Sequence, residues 1–188
     1  MTTSGETKIL HTKECIRNAL IQMLIHTDID RITIKELCRI SNINRTTFYK
    51  YYGSQYDVLN EIAAIYTNKT SSLLMNDLNN GRKIEENLIS ALEFIRDNAG
   101  FFSLFLNKGN TSLTSRIVTV LPAFDSFVVS SINPDLSDHE KKYLASFVLH
   151  GSIKMIADWV LDGCTLSCKS MSNLILSASG KVIGVIGT

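Results

Sequence analysis

The run TIKELCRISNINRTTFYKYYGSQYDVL, Thr33 to Leu59, leaves the chain few choices of local structure. Thr33-x-x-Glu36 has the form of a capping box, in which hydroxyl and carboxylate each satisfy a free backbone N–H at a helix start. Ile34, Leu37 and Cys38 supply a short apolar face that ends near Ile40. Ser41-Asn42 follows, and asparagine tolerates the left-handed backbone of a tight turn. Ile43 can plug that turn into a core, Asn44 can cap a further helix running to about Tyr51, and Gly53-Ser54 ends it. Upstream, Ile16, Ala19, Leu20, Met23 and Leu24 form one stripe of an amphipathic helix over 9–26, behind a loose tail at 1–8. Two short helices, a tight turn and a longer helix behind them make a helix-turn-helix. A small helical subdomain of another kind would show the same apolar pattern.

Beyond residue 54 the pattern predicts helices at 54–78, 83–98, 101–107, 111–131, 138–162 and 168–183. Asn79-Asn80-Gly81, Asn98-Ala99-Gly100, Lys108-Gly109-Asn110, Asn133-Pro134-Asp135 and Asp162-Gly163 separate them. Ser137-x-x-Glu140 is a second capping box, and Val182 to Ile186 is ambiguous. With two prolines, ten glycines and 45% hydrophobic residues, the chain favours long helices around ample core. The expected fold is all-α, with a helix-turn-helix domain at 1–53 and a helical bundle at 54–188.

The formal charge is +1 overall, yet Lys35, Arg39, Arg45 and Lys50 against Glu36 give +3 between Thr33 and Gly53. Thr33, Asn44, Thr46, Thr47, Tyr49, Tyr51 and Tyr52 surround those charges. Duplex DNA asks for this mixture: cations and hydroxyls for phosphates, a few polar side chains for base edges. On a helix starting at Arg45, residues 45, 46, 49 and 50 share a face while Phe48 and Tyr52 turn inward. A solvated basic face is the bland alternative.

Enzyme chemistry has no support: the chain has no GxSxG, no HExxH and no glycine-rich phosphate loop, so no catalytic residue or cofactor is expected. Cys15, Cys38, Cys164 and Cys168 lack metal-ligand spacing and read as reduced thiols, so no metal is expected. The N-terminus is polar, and no run approaches the roughly 18 apolar residues of a membrane span. A soluble, cytoplasmic protein with no membrane partner is expected.

In the C-terminal half, Leu144, Phe147, Val148 and Gly151, continued by Met155 and Trp159, make a broad apolar face, and Met171, Leu174, Ile175 and Ala178 repeat the spacing on the last helix. These two faces read as a homodimer interface, with an internal core as the alternative. Phe94, Phe101, Phe102, Phe105, Phe124 and Phe127 read either as core or as the lining of a cavity for a small apolar or amphipathic effector. His150 is a core histidine or a polar group in that pocket, with Met155 and Trp159 as further candidate lining.

Thr33 to Leu59 resembles the DNA-binding domain of the TetR family of bacterial transcriptional regulators, with helix two as TIKELCRIS, the turn as SNIN, the recognition helix as RTTFYKYY and helix four opening as GSQYDVL. The match covers about 50 residues with helix one included. Asn42 stands where the family commonly has Gly, and Gln55 where a phosphate-contacting lysine is common. The C-terminal YLASFVLHGSIKMIADWVLDG is similar to a subgroup of low-GC Gram-positive bacteria that includes dihydroxyacetone kinase operon regulators. The resemblance implies a homodimer that represses at a palindromic double-stranded operator and releases it when an effector binds. By position it implies Lys35, Asn44, Arg45, Thr46 and Lys50 at base edges, and Thr33, Thr47, Tyr49, Tyr51 and Gln55 at phosphates. A rival reading is a small-molecule- or protein-binding adaptor with a vestigial helix-turn-helix.

Overall fold

The computed structural model describes residues 4–76, 84–106 and 135–184. They form eight α-helices: α1 (Ser4–Leu24), α2 (Ile34–Ile40), α3 (Arg45–Tyr49), α4 (Gln55–Leu74), α5 (Ile84–Asp97), α6 (Ala99–Leu106), α7 (Asp138–Leu161) and α8 (Cys168–Gly184). A single 3-10 turn, Ile29–Arg31, follows α1, and the described residues hold no strand. The expected all-α architecture is the observed one. The helix expected over 111–131 lies outside the described residues.

Helix ends follow local chemistry. α1 begins at Ser4, not near Ile9: the tail expected at residues 4–8 is its first turn, where Glu6 complements the positive end of the helix dipole. The break expected at Asn98-Ala99-Gly100 shrinks to Asn98 alone. Its side-chain amide donates to the Phe94 carbonyl (2.8 Å), while its own carbonyl accepts from Phe101 N–H (3.0 Å) and so opens α6. At the start of α7 the Ser137–Glu140 capping box is complete. α7 closes with Gly163 at φ +74 and Cys164 N–H bonded to the Trp159 carbonyl at 2.8 Å, the Schellman pattern. α8 runs to Gly184, so the ambiguous segment is helical that far.

The chain packs as two compact units, Met1–Tyr66 and Thr67–Thr188. The division falls inside α4 and not at the Gly53-Ser54 turn, because Val58, Leu59 and Ile62 on its first half are buried with the N-terminal unit. That unit buries Ile16, Leu20, Leu37 and Phe48 with no exposed surface, each worth about 1.5–3 kcal/mol relative to exposure. The second unit has its own core of Leu88, Leu92 and Ile95 from α5, Trp159 and Val160 from α7, and Cys168, Met171 and Ile175 around α8. Asn87, 1% exposed, donates to the carbonyls of Leu74 (3.2 Å) and Asn76 (2.6 Å), closing the C-terminal end of α4.

Asn42 sits at φ +55 in the turn after α2. Asn42→Val should lower unfolding stability by about 1–2 kcal/mol, while Asn42→Gly stays near wild type; denaturant titration of the N-terminal unit's transition reads both.

Candidate nucleic-acid interface

The turn that separates α2 from α3 is built by backbone bonds. Ile43 N–H reaches the Cys38 carbonyl at 2.9 Å and Asn42 N–H the Arg39 carbonyl at 3.4 Å, again the Schellman pattern. The buried Ser41 hydroxyl donates to the Leu37 carbonyl at 2.7 Å, so the turn leaves no hydroxyl unpaired inside. Both helices start on side-chain caps. Thr33 Oγ1 accepts from Glu36 N–H at 3.2 Å and itself donates to the Glu36 carboxylate at 2.8 Å, so the carboxylate meets the hydroxyl in place of the backbone N–H a capping box would use. Asn44 Oδ1 accepts from Thr47 N–H at 2.7 Å.

α3 is five residues long, but Tyr51 and Tyr52 N–H groups bond to the Phe48 carbonyl at 2.9 and 3.0 Å and extend it by most of a turn. Phe48 is fully buried; the Tyr49 ring stands edge-on to it at 5.6 Å and the Tyr52 ring tilts against it at 5.8 Å. With Phe48 turned in, Arg45, Thr46, Tyr49 and Lys50 are exposed together. Thr33, Lys35 and Asn44 are exposed as well, whereas Thr47, Tyr51 and Gln55 are half-buried. Among the described residues, none of Lys35, Arg39, Arg45 and Lys50 makes an ion pair. Burial pushes the Cys38 thiol up, with the Arg45 charge pulling the other way.

A cluster that sequence reasoning missed lies behind this surface. Tyr52 donates its hydroxyl to Glu61 Oε2, and Glu61 Oε1 accepts from Lys13 Nζ (3.0 Å) and Arg17 Nη1 (3.4 Å) on α1. Lys13 Nζ also sits 5.2 Å from the Tyr52 ring centroid. The two cations lie 48 and 44 residues from their acceptor, so no local pattern announces the cluster. At the start of α4, the Asp57 carboxylate accepts from both Gly53 and Ser54 N–H at 2.9 Å.

The candidate C-terminal residues separate into different environments. Phe101 is buried, edge-on to Phe102 at 5.8 Å, and Phe105 lies on α6; Phe124 and Phe127 fall outside the described residues. Trp159 is buried and donates its indole N–H to the Leu166 carbonyl at 3.0 Å, which makes it a satisfied core residue. Met155 is half-buried against the same core. His150 is exposed, with Nδ1 2.7 Å from the Ser146 carbonyl, so it is not a core histidine. Of the interface candidates, Phe147, Gly151, Leu174 and Ala178 are exposed, Leu144 is half-buried, and Val148, Met171 and Ile175 face inward, the last two within the core. Tyr143 (73% exposed), one turn before Phe147 (65% exposed), belongs to the outward stripe and was overlooked, although its i−4 spacing shows it. α7 is long and apolar enough to cross a membrane by length and composition alone; it also carries Lys154 and Asp158 and buries Trp159 and Val160.

An all-helical chain with a capped helix-turn-helix, whose four exposed cations make no ion pair among the described residues, has the architecture of a transcriptional regulator. Residues 82–179, just over half of the chain, match a family model described as the C-terminal region of transcriptional regulators of TetR type. A curated relative, the HTH-type transcriptional regulator YxbF of Bacillus subtilis (strain 168), is 23% identical over 100 residues. That match covers 50% of this chain and 26% of the relative's length. The fold is similar to a TetR transcriptional regulator from Streptococcus agalactiae 2603V (TM-score 0.72, 20% identity, 93% of this chain and 97% of that one). It is also similar to the dihydroxyacetone kinase operon activator DhaS (TM-score 0.60, 16% identity, 93% and 97%). The chain belongs to the TetR family of transcriptional regulators.

Asn44 caps α3 and is itself exposed, so one substitution tests folding apart from duplex binding. Asn44→Asp keeps a cap oxygen for Thr47 N–H, so unfolding stability should hold within about 0.5 kcal/mol. Duplex affinity should fall, because the new carboxylate opposes phosphate; paired melting and binding titrations check the split.

Proposed function

We propose that the chain is a homodimeric repressor that reads a palindromic operator through α3 and releases it when a small apolar or amphipathic effector binds the C-terminal unit. The carrying observation is the outward face of Arg45, Thr46, Tyr49 and Lys50, whose cations make no ion pair among the described residues while Phe48 anchors the helix from behind. An α-helix of this kind suits the major groove, where an arginine can bond a guanine edge in bidentate fashion. Lys35 and Asn44 would join at base edges, Asn44 through its amide N–H because its oxygen is engaged in the cap. Thr33, Thr47, Tyr49, Tyr51 and Gln55 would serve phosphates, with the Thr33 hydroxyl already donating to Glu36.

Dimerisation is supported by the outward stripe: Tyr143, Phe147, Gly151 and Leu161 on α7 with Leu174 and Ala178 on α8. Two exposed aromatic rings one helical turn apart, continued by leucines, are more apolar surface than a monomer usually leaves to water. A two-fold pairing of this stripe would present two copies of α3 to half-sites roughly 34–36 Å apart, or further on a wider dimer. An effector lowers operator affinity only through its preference for a state in which the two recognition helices are spaced differently. The working compartment is the cytoplasm, where bacterial DNA is found.

Selection of duplexes from a random library should enrich an inverted repeat, bound with a steep negative salt slope as phosphate contacts release counterions. No enrichment and a flat salt response would favour an adaptor with a vestigial helix-turn-helix. A reporter driven from the enriched repeat separates repression from activation, the role for which DhaS is named. Arg45→Ala should relax specificity at one base position at a cost of about 1–3 kcal/mol, and Tyr49→Phe should weaken all duplexes alike. In sedimentation, Phe147→Glu should convert the dimer to monomer and lower affinity for the full repeat far more than for a half-site.

A further inference from the structure

A helix as short as α3 has little stability of its own, so its direction is imposed by what holds it. Asn44 holds its start and Phe48 its inner face. The third hold is Tyr52. Its N–H bonds the Phe48 carbonyl at 3.0 Å and its ring, 4% exposed, packs on Phe48, so Tyr52 moves with α3. Its hydroxyl then leaves the helix-turn-helix and donates to Glu61 on α4, whose other oxygen carries Lys13 and Arg17 of α1. Three side chains, two from α1 and one from just beyond α3, thus meet at one half-buried carboxylate of α4. Burial pushes Glu61 up, but the Tyr52 and Lys13 hydrogen bonds and the two positive charges outweigh it and hold the carboxyl below its usual range. Burial, then the bond to Glu61, pushes the Tyr52 phenol well above its usual range. Near neutral pH the contact is therefore phenol donating to carboxylate.

The geometry points to Glu61 as a positioning residue for DNA reading: through Tyr52 it sets the angle at which α3 presents Arg45, Thr46, Tyr49 and Lys50. This rests on the proposal that the α3 face reads DNA. Glu61 itself is anionic and is repelled by phosphate, so any support it lends to binding is indirect. Electrostatics alone and positioning therefore predict opposite signs when the carboxylate is removed.

The test uses the full chain and the duplex that the wild type enriches, beside a scrambled duplex. Glu61→Ala should weaken the enriched duplex about tenfold, the effect of one hydrogen bond to a charged group. The scrambled-duplex affinity should hold or rise, since only an anion has been removed from the phosphate interaction. Glu61→Gln, which keeps an acceptor for the phenol, should return affinity to within about threefold of wild type, and Tyr52→Phe, which removes a single hydroxyl, should repeat the Glu61→Ala loss. Tyr52→Phe carries the test should Glu61→Ala fail to fold by circular dichroism. A merely structural role would weaken both duplexes together and would not be rescued by glutamine; that result overturns the assignment. So does wild-type or tighter binding by Glu61→Ala and Tyr52→Phe. A wild type that enriches no duplex defeats the DNA-reading proposal itself, and this inference with it.

Discussion

Burial of the Phe48 ring is the constraint on which the N-terminal unit depends. α3 has one strongly apolar side chain among five residues, and that side chain is fully enclosed. Once it is placed, the helical period turns Thr46, Tyr49 and Lys50 away from it, and Arg45, at the first position of the helix, is exposed as well. The aromatic neighbours reinforce the same choice. Tyr49 meets Phe48 by its edge while keeping half its surface in water, and Tyr52 goes inward, its hydroxyl satisfied by Glu61. The caps at Thr33 and Asn44 and the left-handed Asn42 prevent the two short helices from merging into one, which would rotate this face away.

The electrostatic design is local. A chain of net charge +1 presents +3 over the helix-turn-helix, and its four cations there are exposed and unpaired among the described residues. Lys13 and Arg17, by contrast, are spent internally on Glu61. Exposed cations on the α3 face and neutralised ones behind it suit the proposed role, in which affinity would come from displacing counterions and specificity from a few base edges.

The C-terminal unit shows two uses of apolar residues on the same helices. Trp159, Val160, Met171 and Ile175 turn inward and close a core with α5. Tyr143, Phe147 and Leu174 turn outward and stay in water in the single chain. A helix with apolar residues on both sides has a weak amphipathic signature, and for that reason periodicity alone mixed Val148, Met171 and Ile175 with Phe147 and Leu174.

The sequence by itself determined the all-helical class, the caps at Thr33, Asn44 and Ser137, the left-handed turn at Asn42 and the outward set on α3, because each depends on residues within four positions of one another. It also carried the family resemblance, through the ordered spacing of Thr33 to Leu59. Tertiary structure alone decided the rest. Glu61 gathers partners from α1 and from beyond α3, Asn87 closes α4 from α5, and the unit boundary falls at Tyr66 because burial continues past the Gly53-Ser54 turn. His150 lies in an apolar run and yet faces water, since helix rotation against α6 and α8 is set by the summed packing of Ala145, Val148, Leu149, Trp159 and Val160. Short-range hydrogen bonds are written in neighbouring residues; which side of an apolar helix is buried depends on partners that the chain brings from far along its length.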